Sequence, residues 1–180
     1  MNLNEVRLSG ETKYAGRVIT MQVDTVRLPD GNTATREVVR HPGGVCVAAL
    51  TDQQELLFVR QFRYPYETVL LELPAGKLSP GEDPALCAAR ELKEETGAEA
   101  AELTSLGVLY PSVGYTDERL HLYLATGLTF GECCPDEDEF LEVERIPLLT
   151  AVQMVEEGQL PDAKTQALVL RTYFLFEKRK

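Results

Sequence analysis

Apolar residues fall in short β-branched or alternating runs over much of the first seventy-five positions, switch to helical spacing near residue 84, and return to strand-like runs after residue 103. Residues 1 to 15 are polar and mixed, with little periodicity. From Arg17 to Leu28, Val18, Ile19, Thr20, Val23, Thr25 and Val26 give the β-branched density of a strand. Pro29-Asp30-Gly31-Asn32 is a turn signal ahead of a second strand near Thr33 to Arg40, so a β-hairpin is expected. His41-Pro42-Gly43-Gly44 then interrupts the pattern. The break divides an N-terminal segment, residues 1–42, from a main body, residues 43–180.

Strands are expected over Val45 to Leu50 and Leu56 to Phe62, joined by the polar turn Thr51-Asp52-Gln53-Gln54. The run Val69-Leu70-Leu71-Glu72-Leu73 leads through Pro74-Ala75-Gly76 toward a helix. Leu103 to Tyr110 and Arg119 to Thr126 read as strands, separated by a loop rich in Pro, Gly and small polar residues that can be mobile and approach a ligand closely. Residues 131 to 139 form an acidic linker, and Phe140 to Arg145 a last strand. Thr150 with Gln153 suggests a capping box for a short helix to Glu157. Asp162 opens a final helix through about Glu177, followed by Lys178-Arg179-Lys180, which suits its negative end. Strands, one helix, strands, then helices predict an α+β layered fold with a mixed sheet.

Composition narrows the function. A length of 180 residues with 44% hydrophobic content supports one globular domain with a real core. The net charge of −11 argues against a nucleic-acid binder, which needs a basic footprint, and against an anionic membrane surface as partner. A phosphorylated ligand stays open where a metal mediates. Cys46, Cys87, Cys133 and Cys134 show no metal-finger spacing, and there is no apolar run of membrane-spanning length and no signal peptide, so a cytoplasmic chain with reduced thiols is expected. Adjacent Cys133 and Cys134 in an acidic loop read as incidental.

The helix beginning near residue 84 carries the chemistry. Asp83 suits an N-cap, Pro84 the first helical position and Gly97 the left-handed residue that ends a helix. At about 100° per residue, Ala85, Ala88, Ala89, Leu92 and Thr96 form a small apolar stripe, while Glu91, Glu94 and Glu95 crowd an arc beside it. Like charges four apart, as at Glu91 and Glu95, cost an isolated helix about 0.2–0.5 kcal/mol. A cation among them would offset that repulsion, and hard divalent ions take carboxylate oxygens together with substrate phosphates. Arg90, four before Glu94, can hold it in place. A glutamate-rich helix alone is most often only a solvated face.

The full spacing argues otherwise. Gly76, Glu82, Arg90, Glu91, Glu94, Glu95 and Gly97 occupy every polar position of a pattern that resembles the signature of the Nudix hydrolases, which cleave nucleoside diphosphates linked to another moiety. Only Ala98 departs, at a packing position where a larger aliphatic residue is usual. The resemblance implies a Nudix-type α/β/α sandwich with a mixed sheet, preceded here by the N-terminal β-hairpin. It further implies Glu91 and Glu95 as principal metal ligands, the Ala75 carbonyl as another, and Glu94 as a nearby ligand or orienter. Mg²⁺ is the expected ion, and Mn²⁺ can substitute. Glu82 would be structural, tied to Arg90.

Outside that signature the chain resembles the ADP-ribose pyrophosphatases, through Arg36 to Val45, Gln61-Phe62-Arg63, Glu72 to Lys77, Pro111 to Glu118 and Asp162-Ala163-Lys164-Thr165. This resemblance implies hydrolysis of ADP-ribose to AMP and ribose 5-phosphate, with Glu118 as general base and Arg63 on a phosphate oxygen. It also implies that Arg36 and Glu37 contact the adenosine part, often from the other subunit of a homodimer. The chain has no Trp, so a tryptophan base clamp is absent. Two alternatives stand beside this: another nucleoside diphosphate sugar, such as GDP-mannose, or a dinucleotide as substrate; and a non-catalytic nucleotide-sugar sensor.

Overall fold

The computed structural model describes residues 2–134 and 140–177. It comprises two compact units, one of Met1–Gly43 with Tyr110–Arg119, the other of Gly44–Leu109 with Leu120–Lys180. Much of the expected acidic linker over 131 to 139, and the basic end Lys178-Arg179-Lys180, lie outside the described residues.

The first unit is an antiparallel sheet of β1 (Val6–Ala15), β2 (Thr20–Arg27) and β3 (Thr33–Arg40), in that order. The expected hairpin is β2 and β3, whose register pairs Thr20 with Arg40 and Arg27 with Thr33. The strand β1 corrects the reading of residues 1 to 15 as patternless. Val6, Leu8 and Tyr14 do alternate with Arg7, Glu11 and Lys13, but Gly10 and Thr12 dilute the apolar face, and every residue of the strand is exposed.

The second unit contains two sheets. One has the order β10-β5-β6, formed by β5 (Glu55–Arg63), β6 (Thr68–Glu72) and β10 (Leu141–Pro147), all antiparallel. The other has the order β7-β4-β9-β8, formed by β4 (Gly44–Ala49), β7 (Ala75–Lys77), β8 (Ala98–Leu109) and β9 (Leu120–Phe130). Its β4 and β9 run parallel while its other pairs are antiparallel, so the sheet is mixed.

Side-chain alternation along β4 divides the core. Cys46, Ala48 and Leu50 pack with Leu148, Ala151, Leu160, Leu168 and Val169, residues on or beside α2 (Leu148–Glu156) and α3 (Ala163–Glu177). Val45, Val47 and Ala49 pack instead with Cys87, Ala88 and Leu92 of α1 (Pro84–Thr96). Helices therefore cover both faces, the layered α/β/α arrangement that the resemblance implies.

Three local expectations change. Residues 75–77 form the short strand β7 on β4, where the sequence suggests only a connection. The helix α2 starts at Leu148, not Thr150, and its N-cap Pro147 makes no side-chain cap bond. Burial of Leu148 and Ala151, with the Leu148 N–H on the Gln54 carbonyl at 2.9 Å, sets its start in place of the Thr150–Gln153 box. On α1, Ala89 is exposed and Cys87 takes a place in the core.

Candidate active site

The helix α1 forms where local signals agree. The Asp83 carboxylate accepts from the N–H groups of Ala85 and Leu86 at 2.9 and 3.3 Å, Pro84 follows it, and Gly97 closes the helix at φ 70°. Its far end has a second cap. The Cys133 thiol donates to the carbonyls of Glu94 and Glu95, each at 3.1 Å, and the Cys134 N–H also donates to the Glu94 carbonyl at 3.1 Å. These satisfy carbonyls that lack helical partners, so the Cys133 thiol has a structural part, whereas Cys134 contributes only its main chain.

Glu91 and Glu95 are not on a solvated arc. They are 8% and 2% exposed, on the side of α1 turned toward β7. Glu95 Oε2 accepts the Ala75 N–H at 3.0 Å. Glu91 lies directly over the Gly76 α-carbon, where a Cβ would fall 1.8 Å from its Cδ. The structure thus brings together Ala75, Glu91 and Glu95, the three residues that the resemblance names.

One cation orders the neighbouring acids. The Arg90 guanidinium donates to both Glu82 oxygens at 2.9 and 3.1 Å, to Glu91 at 2.8 Å and to Glu94 at 2.9 Å. Buried carboxylates are costly without such partners. Arg90, with the Ser79 N–H at 2.9 Å, holds the Glu82 carboxyl down at about 2. Glu82 therefore ties the loop before α1 to Arg90, and Glu94 is a half-buried member of the same network.

The donor set fits a hard divalent cation. Glu91 and Glu95 offer anionic oxygens beside a main-chain segment, and Gly76 leaves the room that a side chain would fill. Among the described residues no three Asp, Glu, His or Cys side chains close a metal site by themselves. A small hard ion that keeps several waters and shares substrate oxygens suits such an incomplete shell.

A second ionic group lies one strand away. Arg63 grips Glu72 with Nε on Oε1 at 2.6 Å and Nη2 on Oε2 at 2.9 Å, a bidentate fork. Lys164 also meets Glu72 Oε2, and it pairs with Asp162 at 3.0 Å. Burial raises the Glu72 carboxyl, but Arg63 and Lys164 outweigh it and leave it below its ordinary range. Glu72, Asp162, Lys164 and Thr165 lie in stretches that resemble the ADP-ribose pyrophosphatases, but no local pattern gives them a role. Only the fold shows that α3 and β6 meet there.

The remaining predicted residues belong to the first unit. Arg36 is exposed and forked onto Glu5 at 2.9 and 2.5 Å, and Glu37 beside it is exposed opposite Val23. Glu118 ends a loop pinned to β3. The Asp117 carboxylate accepts from Arg40 Nη1 and the His41 N–H, each at 3.0 Å, and Val39 bridges Thr116 in parallel. Glu118 Oε1 approaches His41 Nδ1 at 3.5 Å. That nitrogen already accepts the Gly43 N–H at 3.1 Å, so the contact becomes an ion pair only when His41 is protonated. Asp117, inside the matching stretch Pro111 to Glu118 but given no role by it, is the anchor of the loop.

A NUDIX domain model matches residues 40–169. The chain belongs to the Nudix family. A second model, a nucleoside diphosphate sugar hydrolase N-terminal domain, matches residues 5–39. This Nudix chain is 44% identical over 166 residues to an ADP-ribose pyrophosphatase of Bacillus subtilis (strain 168), covering 91% of this chain and 90% of that one. It is also 44% identical over 163 residues to a protein of Bacillus methanolicus named methanol dehydrogenase activator, covering 89% of this chain and 88% of the other. A crystal structure of an ADP compounds hydrolase superposes with a TM-score of 0.87 over 99% of this chain and 98% of that one, at 23% identity, which shows the shared Nudix fold. The chain is thus a Nudix hydrolase resembling the ADP-ribose pyrophosphatases, of a family that generally uses divalent metal ions. Among the described residues, no helix is long and apolar enough to cross a membrane.

Proposed function

We propose that this Nudix hydrolase splits the pyrophosphate bond of ADP-ribose, water adding across the anhydride to leave AMP and ribose 5-phosphate. The observation that carries this reading is the 44% identity, over nine-tenths of both chains, to a relative named ADP-ribose pyrophosphatase. The N-terminal match to a nucleoside diphosphate sugar hydrolase domain supports the substrate class.

Glu91, Glu95 and the Ala75 carbonyl would hold Mg²⁺, for which Mn²⁺ can substitute, with Glu94 as a further ligand or orienter. When bound, the ion supplies charge neutralisation on the phosphate oxygens. Arg63 donates to a phosphate oxygen with the N–H groups that its fork on Glu72 leaves over. Glu118 takes the proton of the attacking water, because a carboxylate engaged with a cation is a poor base. Arg36 and Glu37 contact the adenosine part in a homodimer. Val6, Leu8 and Tyr14, exposed along β1, give such a dimer apolar surface to bury. Size-exclusion chromatography checks this point, since a clean monomer of about 20 kDa rules out a site shared between subunits.

A panel of ADP-ribose, GDP-mannose and a dinucleotide, assayed with Mg²⁺ or Mn²⁺ and read by phosphorus NMR, tests the substrate. ADP-ribose is expected to turn over fastest. Faster cleavage of another member reassigns the substrate, and binding without cleavage of any would make the chain a sensor. The equal similarity to a protein named methanol dehydrogenase activator favours a second reading, in which the hydrolase acts beside a dehydrogenase. A rise in methanol oxidation when the chain is added to such a dehydrogenase would support it.

A further inference from the structure

From Glu72 to Ala75, each residue entering the site is held by a different partner. Arg63 and Lys164 hold the Glu72 carboxylate, the Val47 N–H donates to the Pro74 carbonyl at 2.8 Å, and Glu95 accepts the Ala75 N–H at 3.0 Å. Between these anchors, the Leu73 N–H donates to the Thr165 hydroxyl at 3.0 Å. Leu73 and Thr165 are both fully buried, so no water can replace that acceptor.

Thr165 is itself fixed. It is the third residue of α3, and its own N–H donates at 2.9 Å to Asp162 Oδ2, which also receives Lys164 Nζ at 3.0 Å. The cap that starts α3 therefore sets the position of the hydroxyl that holds the strand. A shell of this kind matters because small displacements of a site's main chain cost far more rate than stability.

We propose that Thr165 is a positioning residue: its hydroxyl fixes the Leu73 amide and so sets the main chain of Ala75 and Gly76 against the carboxylates of Glu91 and Glu95. This inference rests on the reading of those groups as the cation site. Val in place of Thr165 keeps the volume and removes the acceptor, while Ser keeps the acceptor and removes a methyl group.

The test compares the parent, Thr165→Val and Thr165→Ser by Mn²⁺ binding in electron paramagnetic resonance, by kcat and KM for ADP-ribose, and by circular dichroism. Thr165→Val is expected to stay folded, to bind Mn²⁺ about 10-fold more weakly and to lose about 10-fold or more in kcat, with KM within about 3-fold of the parent. Thr165→Ser should restore both Mn²⁺ affinity and kcat to within about 3-fold. Parental Mn²⁺ affinity and kcat in folded Thr165→Val would overturn the positioning role, as would equal losses in both variants, which would make the effect one of packing. A parent that neither bound Mn²⁺ nor cleaved ADP-ribose would instead overturn the underlying reading, and the role of Thr165 with it.

Discussion

A Cβ placed on Gly76 would lie 1.8 Å from Cδ of Glu91 and 2.0 Å from its Oε1. Gly76 is not in the left-handed region, so close approach, and not conformational freedom, is what demands glycine there. The obstacle is the far end of a flexible side chain, which can swing away. Gly76→Ala should therefore fold, with Glu91 displaced, and should lose about 100-fold in activity. Circular dichroism and an ADP-ribose assay read the two halves separately, and a folded variant with parental turnover would remove Glu91 from the chemistry.

The proposed ligand role of Glu95 predicts a different split. A glutamine oxygen can still accept the Ala75 N–H, so Glu95→Gln should keep its thermal midpoint close to the parent's. The lost charge should lower turnover in Mg²⁺ by about 100-fold or more. Unchanged turnover would sink the assignment. Glu94→Gln should fall between Glu95→Gln and the parent, because Glu94 is half-buried and already tied to Arg90.

Around α1, local and tertiary demands coincide, which is why the sequence is most legible there. Asp83, Pro84 and Gly97 mark ends that packing also requires, and the spacing of Glu91 and Glu95 survives any tertiary detail. Elsewhere the two part company. Thr150 and Gln153 look like a cap, yet burial of Leu148 puts the cap three residues earlier, at Pro147. The strand β1 is exposed along its whole length, so no core-facing apolar run announces it. The hold of α3 on β6 through Glu72 and Thr165 joins residues about ninety positions apart, a separation at which no local pattern carries information.

Acid should act partly through Glu82. Its carboxyl is held at about 2 in the folded chain by Arg90 first and the Ser79 N–H second, well below its ordinary value near 4.5. A lowered carboxylate contributes stability that is present above the unfolded value and lost as pH falls through the folded one. Glu82→Gln should therefore be less stable than the parent at pH 7. The gap should narrow as pH drops below about 4.5 toward 2. Urea midpoints of both proteins at pH 7 and pH 4 measure it, and a gap that widened in acid would contradict the Glu82–Arg90 tie as its source.

The base is the most exacting assignment, because Glu118 carries no signature spacing of its own. Its loop is pinned by Asp117 to Arg40 and His41, while its own carboxylate lies 3.5 Å from His41 Nδ1. A group that accepts a proton in the transition state contributes mainly to turnover, whereas one that grips substrate contributes to KM. Glu118→Gln keeps shape and removes basicity, so kcat should fall by about 100-fold or more with KM for ADP-ribose little changed. The loop should stay in place, since its anchor is Asp117. A rise in KM at parental kcat would turn Glu118 into a binding residue, and no change in either would leave it an ordinary surface acid.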